Sequence, residues 1–172
     1  MSISRMDNWN TDNESMVNKQ INLELTASHI YLYLSTLVSN DSIGLLGMSK
    51  FLKEESIEER KHADEFIQLQ IIRGGKPILG NISNPEFEFK GNESHLLQLF
   101  RYILQLEQSI YKNIVNISNN TDDKGLQKLL DDFIDEQLTT QYKLGIYIKQ
   151  LENIGGDKSA LFIFDKSIMD TE

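Results

Sequence analysis

Both prolines of the chain, Pro77 and Pro85, fall in one stretch that opens with Gly74-Gly75 and closes with Gly91-Asn92. Proline and glycine are the residues that helices tolerate least, so the punctuation isolates a single long loop. Everywhere else the apolar residues recur at helical spacing. Thr11 or Asn13 is placed to cap a first helix running to about Val38, and Asp41-Ser42 a second to about Arg73. Asn92 opens a third to about Asn119, and Asp122 or Asp123 a fourth that ends near Ile154, before Gly155-Gly156. A short fifth helix, from about Ser159 to Met169, carries Leu161, Phe162, Phe164 and Ile168. Helices of roughly 27 to 32 residues are about 40 to 48 Å long, and rods of that length stabilise one another side by side. The links at 39–42 and 120–122 suit antiparallel neighbours. The loop from Gly74 to Asn92, at about 3.3 Å per residue, can run the length of a bundle. The expected fold is therefore all-α: a four-helix bundle with one long crossover and a short fifth helix. All 172 residues form one domain, with a short extension at 1–12, the bundle at about 13–154 and the fifth helix at about 159–169.

Alternating steps of three and four residues give the inward stripe of each helix. The first stripe reads Val17, Gln20, Glu24, Ala27, Tyr31, Leu34, Val38, and the second Leu45, Met48, Leu52, Glu55, Glu59, His62, Phe66, Leu69. The third reads Leu96, Phe100, Ile103, Glu107, Ile110, Ile114, Ile117, and the fourth Leu130, Phe133, Gln137, Thr140, Leu144, Tyr147, Leu151. Every stripe has a polar residue of metal-ligating type near its middle. Any one of these, taken alone, reads equally well as a core polar group that fixes helix register. Four at one level are harder to explain that way. Glu24, Glu59 and Glu107 bring three carboxylates to a low-dielectric centre, and no Lys or Arg lies on the stripes to neutralise them. Burying one unpaired carboxylate costs several kcal/mol, so the acids must take up protons or bind cations. Glu59-x-x-His62 has the i, i+3 spacing with which bundle helices offer a carboxylate and an imidazole to one metal. Two divalent ions bridged by Glu59 resolve the conflict.

The composition agrees. With 26 acidic against 17 basic residues the formal net charge is −9, which disfavours nucleic acid and anionic membranes as partners and favours cations. There is no cysteine, so a metal must be held by oxygen and imidazole, a donor set that suits iron or manganese better than tetrahedral zinc. The first twenty residues carry neither a secretory nor a transit signature, and no apolar run is long enough to span a bilayer. A cytoplasmic location is the expectation. The fourth helix offers Gln137-x-x-Thr140 where a symmetric centre has a second Glu-x-x-His. One metal then has Glu24, Glu59 and His62, and the other chiefly Glu59, Glu107 and Gln137. The second site is expected to be weaker, as suits a metal passing through as substrate.

At this point the residues resemble ferritin. "NKQINLELTASHIYLYLS", "EESIEERKHADEFIQLQIIRGGKP", "LQLEQS", "DEQLTTQYKLG" and "LFIFDKS" resemble ferritin segments in order, from about residue 15 to 170. The resemblance implies a homo-oligomeric shell of 24 subunits that stores ferric oxyhydroxide. It implies a ferroxidase centre of Glu24, Glu59, His62 and Glu107, with Gln137 nearby and Tyr31 adjacent. The pattern is that of a catalytic, heavy-chain-like subunit. The implied chemistry is oxidation of two Fe(II) ions per subunit by dioxygen or peroxide. Tyr31 either supplies an electron or is a core aromatic with a satisfied hydroxyl.

The departures from that family matter too. The haem-ligating methionine of bacterioferritin lies inside the Glu-x-x-His motif, where this chain has Arg60, and no haem is expected. Animal-type ferritins have acids ten and seven places before the glutamine; Gln127 and Leu130 stand there, leaving Asp122, Asp123 or Asp131 to guide iron inward. Of the third iron site found in some prokaryotic ferritins only Glu58 and Glu136 remain, since Thr139 and Thr140 replace its other acids. Glu55, one turn before Glu59, is either an alternative third site or merely half exposed. His29 and His95 read as surface or packing residues, and Glu54, Glu58 and Asp64 as acids on the cavity side. Two other functions fit the same stripes: a shell subunit that binds metal without oxidising it, and a di-iron oxidoreductase acting on an organic substrate.

Overall fold

In the computed structural model of the chain, residues 5, 6 and 8–169 are described. Of the expected N-terminal extension, residues 1–4 and 7 lie outside them. Five α-helices and no strand occur among the described residues: α1 (Thr11–Ser39), α2 (Leu46–Ile72), α3 (His95–Asn120), α4 (Lys124–Ile154) and α5 (Lys158–Met169). The contacts give their directions. The end of α2 returns to the start of α1, where Gln70 Nε2 donates to Glu14 O at 2.9 Å. The crossover then climbs beside α1: Asn18 binds the backbone of Lys76 and Ile78, and Asn22 that of Ile78 and Gly80. It delivers the chain to the far end, where Ser94 caps α3 by accepting from Leu97 N at 3.3 Å. The α3–α4 link comes back to the first end, and there Thr121 Oγ1 donates to Asn13 Oδ1 at 2.8 Å. The result is the bundle with one crossover that the loop lengths require.

The caps show where local sequence reading stops. Asn10, ahead of both the expected Thr11 and Asn13, caps α1 by accepting from Asn13 N at 2.8 Å. Asp123 caps α4 as expected, accepting from Leu126 N at 2.8 Å. Helix α2 departs most: Asp41-Ser42 does not cap it, the helix begins at Leu46, and Leu45 supplies no side-chain cap. Its free N–H groups are satisfied from α5 instead, Asp165 accepting from Gly47 N at 3.0 Å and from Met48 N at 2.8 Å. A carboxylate across a helix N-terminus also meets the positive end of the helix dipole. Gly47 makes the approach possible, because a Cβ there would overlap the carbonyl oxygen of Asp165. Asp165→Ala strands both donors, a loss of about 1–3 kcal/mol for a buried unsatisfied group. The expected outcome is a lower melting temperature and faster proteolysis of α5, with Asp165→Asn intermediate, since its amide keeps one acceptor and sets an N–H2 against the other donor.

Trp9 shows that the N-terminal segment belongs to the core. It is buried, its Nε1 donates to Gln70 Oε1 at 3.1 Å, and the Arg73 guanidinium lies 5.6 Å from its ring centre. Arg73 pairs with the buried Asp123, which also accepts from Asn8 Nδ2 at 2.9 Å. This closes the end of the bundle where all four long helices meet a link or a terminus. No helix among the described residues is long and apolar enough to cross a membrane.

Candidate metal centre

The stripes of α1 and α3 are buried at every predicted position, including Glu24 (1 % exposed) and Glu107 (1 %). On α2, Glu59 and His62 are also buried, and on α4 Gln137 is. Among the described residues, Glu24, Glu59 and His62 form a group whose ligating atoms all lie within 4.8 Å of one another. Glu24 Oε2 and Glu59 Oε2 are buried with no hydrogen-bond partner. Two orphaned carboxylate oxygens beside an imidazole are what a divalent cation would satisfy, and a hard one by the oxygen-rich donor set.

The surroundings differ on the two sides. Gln20 Nε2 donates to Glu24 Oε1 at 2.5 Å. Glu107 accepts from the Tyr31 hydroxyl on one oxygen and from Gln137 Nε2, at 2.5 Å, on the other. Gln137 thus turns its N–H2 to Glu107, while its carbonyl accepts from Gln141 at 3.2 Å; it holds a ligand in place with the atom that is not itself a donor to metals. His62 lies edge-on to Phe133 with ring centres 5.0 Å apart, and Phe133 stacks on Phe66 at 4.8 Å. Its Nδ1 is 3.7 Å from Glu59 Oε1, and its Nε2 is 3.1 Å from Glu136 Oε1. A carboxylate on the far nitrogen fixes the ring and raises its basicity as a ligand. Glu136 therefore acts on the imidazole in this arrangement.

The other expected residues separate clearly. Tyr31 is buried and faces Glu107 directly. Glu55 is half-buried and close enough to Glu59 and Glu107 to feel their charge. Glu58 is not brought to the centre: it is exposed and pairs with Lys61 at 2.5 Å, because one residue beyond the stripe turns a side chain about 100° round the helix. Asp123 is committed to its cap and to Arg73, which removes it from any role in guiding iron. Asp122 and Asp131 are exposed. His29 is half-buried, and His95 is exposed and stacks on Phe89. Sequence reading missed Gln20 as a partner of Glu24, and Asn113 and Gln141 behind the two glutamines; only the i, i+4 spacing of Gln137 and Gln141, and of Gln20 and Glu24, hinted at contact.

Burial, then the charge of Glu59, raises Glu24 well above the usual carboxylate range. Burial followed by Glu59 pushes Glu107 up to about 7, and burial followed by Glu107 and Glu59 pushes Glu55 up to about 7. Burial also raises the Tyr31 hydroxyl, with Glu107 adding to it, so the phenol stays a donor. Burial works against a charged His62, but its bonds to Glu136 and Glu59 outweigh that and raise it to about 11. The metal-free fold thus holds protons on Glu55 and Glu107 up to about pH 7 that the unfolded chain releases near 4.5. Stability falls as pH rises through that window, and His62 extends the fall from about 6.5 towards 11. Bound metal opposes the trend because its ligands must be deprotonated. Calorimetry of the metal-free protein is expected to show a melting temperature that drops between about pH 5 and pH 8, with Co(II) flattening or inverting the drop. A metal-free melting temperature that climbs across this range would contradict the assignment.

Comparison with known proteins gives the same frame. The ferritin-like domain profile matches residues 14–154. The middle subunit of ferritin from Aquarana catesbeiana is 32% identical over 165 residues, covering 92% of this chain and 92% of that protein. Chloroplastic ferritin-2 of Glycine max is also 32% identical over 170 residues, covering 96% of this chain, which spans only 66% of that longer relative. The crystal structure of ferritin from the multicellular green alga Ulva pertusa superposes with a TM-score of 0.93 at 27% identity, over 99% of this chain and 89% of that one. With its crossover bundle, its inward Glu-x-x-His and these matches along nearly its whole length, the chain belongs to the ferritin family.

Proposed function

We propose that this chain is the subunit of an iron-storage shell of 24 copies and that each bundle oxidises Fe(II) before the iron is stored as ferric oxyhydroxide. The observation that carries the reading is the pair of buried, unpartnered oxygens of Glu24 and Glu59 beside His62. Iron is the substrate. One Fe(II) is taken by Glu24, Glu59 and His62, and a second by Glu59 and Glu107. Each iron loses one electron; dioxygen accepts both with two protons and becomes hydrogen peroxide, or peroxide accepts both with two protons and becomes water. Anionic oxygen donors favour Fe(III) over Fe(II), which supplies part of the driving force. Burial and the charge of Glu59 favour the protonated forms of Glu24 and Glu107 in the metal-free centre, and such protons leave as iron enters. Glu136 and Phe133 keep the His62 ring aligned, and the Tyr31 hydroxyl orients Glu107.

The site beside Gln137 has fewer donors than the other, two carboxylates and no imidazole, with the Gln137 N–H2 turned to Glu107, which favours iron that leaves over iron that stays. Adding Fe(II) to the metal-free protein under anaerobic conditions and then admitting oxygen tests this directly. Fast appearance of a ferric species at two irons per chain, followed by uptake of roughly hundreds more as soluble mineral, is the expected result, since a bound pair close enough to share an oxidant reacts as a unit. Uptake that stops at two irons would instead favour an oxidoreductase with a resident metal pair. Slow uptake without a fast phase would favour a shell subunit that does not oxidise.

A further inference from the structure

The two outer carboxylates of the centre are held in the same manner, each by an amide with a second amide behind it. Asn113 Nδ2 donates to Gln20 Oε1 at 2.6 Å, and Gln20 Nε2 donates to Glu24 Oε1 at 2.5 Å. Across the centre, Gln141 Nε2 donates to Gln137 Oε1 at 3.2 Å, and Gln137 Nε2 to Glu107 Oε2 at 2.5 Å. Each array runs amide to amide to carboxylate. Asn113, Gln20 and Gln137 are buried and Gln141 half-buried, so water is a poor substitute for these bonds.

A primary amide has two faces of nearly equal size. A half-turn of the terminal bond exchanges N–H2, a donor, for C=O, an acceptor. Turned one way, Gln20 stabilises the anionic form of Glu24; turned the other, it sets a carbonyl against the carboxylate and competes with it for a cation. Gln20 has no shape-based reason to choose. Asn113, with its N–H2 toward Gln20, favours the first choice by meeting the carbonyl that this orientation turns away from Glu24, and Gln141 does the same for Gln137.

We propose that Asn113 and Gln141 are positioning residues that lock the Gln20 and Gln137 amides with N–H2 facing Glu24 and Glu107, so that both carboxylates meet an incoming divalent cation in one orientation. The inference rests on the metal-centre reading above. It assigns a role to two residues that touch no ligating oxygen themselves and act only through the intervening glutamine.

Co(II) binding to the assembled, full-length protein, followed anaerobically by titration calorimetry, tests it with a metal that does not turn over. Asn113→Leu is expected to weaken the tighter Co(II) by about 10-fold, and Gln141→Leu the weaker one by a similar factor, the usual scale for residues behind a metal ligand. Helix content and assembly should be unchanged. Gln20→Met should cost at least as much as Asn113→Leu. In the Gln20→Met background Asn113→Leu should add less than about twofold, because residues acting through one another are not additive. A packing role for Asn113 predicts the opposite: multiplying losses, or none. Should the leucine variant fail to assemble, Asn113→Asp keeps the shape, and its carboxylate can only accept. It turns Gln20 round, and the same loss is expected. Affinity within twofold of wild type in whichever Asn113 variant assembles, or losses that multiply, would overturn the proposal. Absence of Co(II) binding in the wild type would instead remove the metal-centre reading on which it stands.

Discussion

Glu59→Gln is expected to abolish rapid Fe(II) oxidation and, at the same time, to raise the melting temperature of the metal-free protein. The two effects have one cause. Glu59 sits between the other acids, and its charge is the second-largest influence, after burial, raising both Glu24 and Glu107. It is buried and leaves one oxygen without a partner. Replacing it with an amide of the same shape removes that repulsion without opening a cavity, and His62 keeps Glu136 at 3.1 Å. Each kcal/mol relieved is worth about 2–4 °C in a chain of this size. In the proposed centre the same change deprives both irons of their shared anionic donor. Since disturbing a group merely behind a ligand costs about 10–100-fold, the fast ferric phase in stopped-flow absorbance should fall by at least about 100-fold. Wild-type oxidation in this variant would refute the site. A marked fall in melting temperature would show that Glu59 supports the fold in some other way.

Asp123→Ala is expected to be the most damaging substitution for stability, through the other end of the bundle. Asp123 is 1 % exposed and serves three partners: it caps α4 at Leu126 N, accepts from Asn8 Nδ2 and pairs with Arg73. Removing it leaves the largely buried guanidinium of Arg73 without its carboxylate, a situation that costs about 3–5 kcal/mol, and uncaps the longest helix as well. The double variant Arg73→Met with Asp123→Asn tests the cause. It retains an acceptor at the cap, removes both charges, and should recover much of the loss, because a buried ion pair is often no better than a neutral replacement of similar size. Urea denaturation of the two variants side by side would show it; equal loss in both would rule out the stranded charge as the cause.

How far the sequence could be read depended on whether the physics was local. On α1 and α3 the 3.6-residue period carried the inward stripe without error, from Val17 to Val38 and from Leu96 to Ile117. The long crossover was legible because Pro77 and Pro85 cannot sit inside helices. The central acids stood out because burying them is costly and no Lys or Arg shares their stripes. What was not legible came from distant parts of the chain. The start of α2 is set by Asp165, a residue 118 positions away from Gly47, and neither Asp41 nor Ser42 could reveal it. Glu136 lies one position off the α4 stripe and is half exposed, yet its length lets it reach His62 from the side. Gln137 was expected as a metal neighbour, but only three-dimensional packing could show which end of its amide faces Glu107.

The junction of α2 with α5 has a further consequence. A lone hydrogen atom at position 47 sets how near the last helix can come, and Asp165 grips Gly47 and Met48 with its two oxygens only at that range. A methyl group there would overlap the Asp165 carbonyl, so the backbone of α5 would have to give way beside both bonds. The fifth helix is thus seated by a fit that leaves no room for a side chain at position 47.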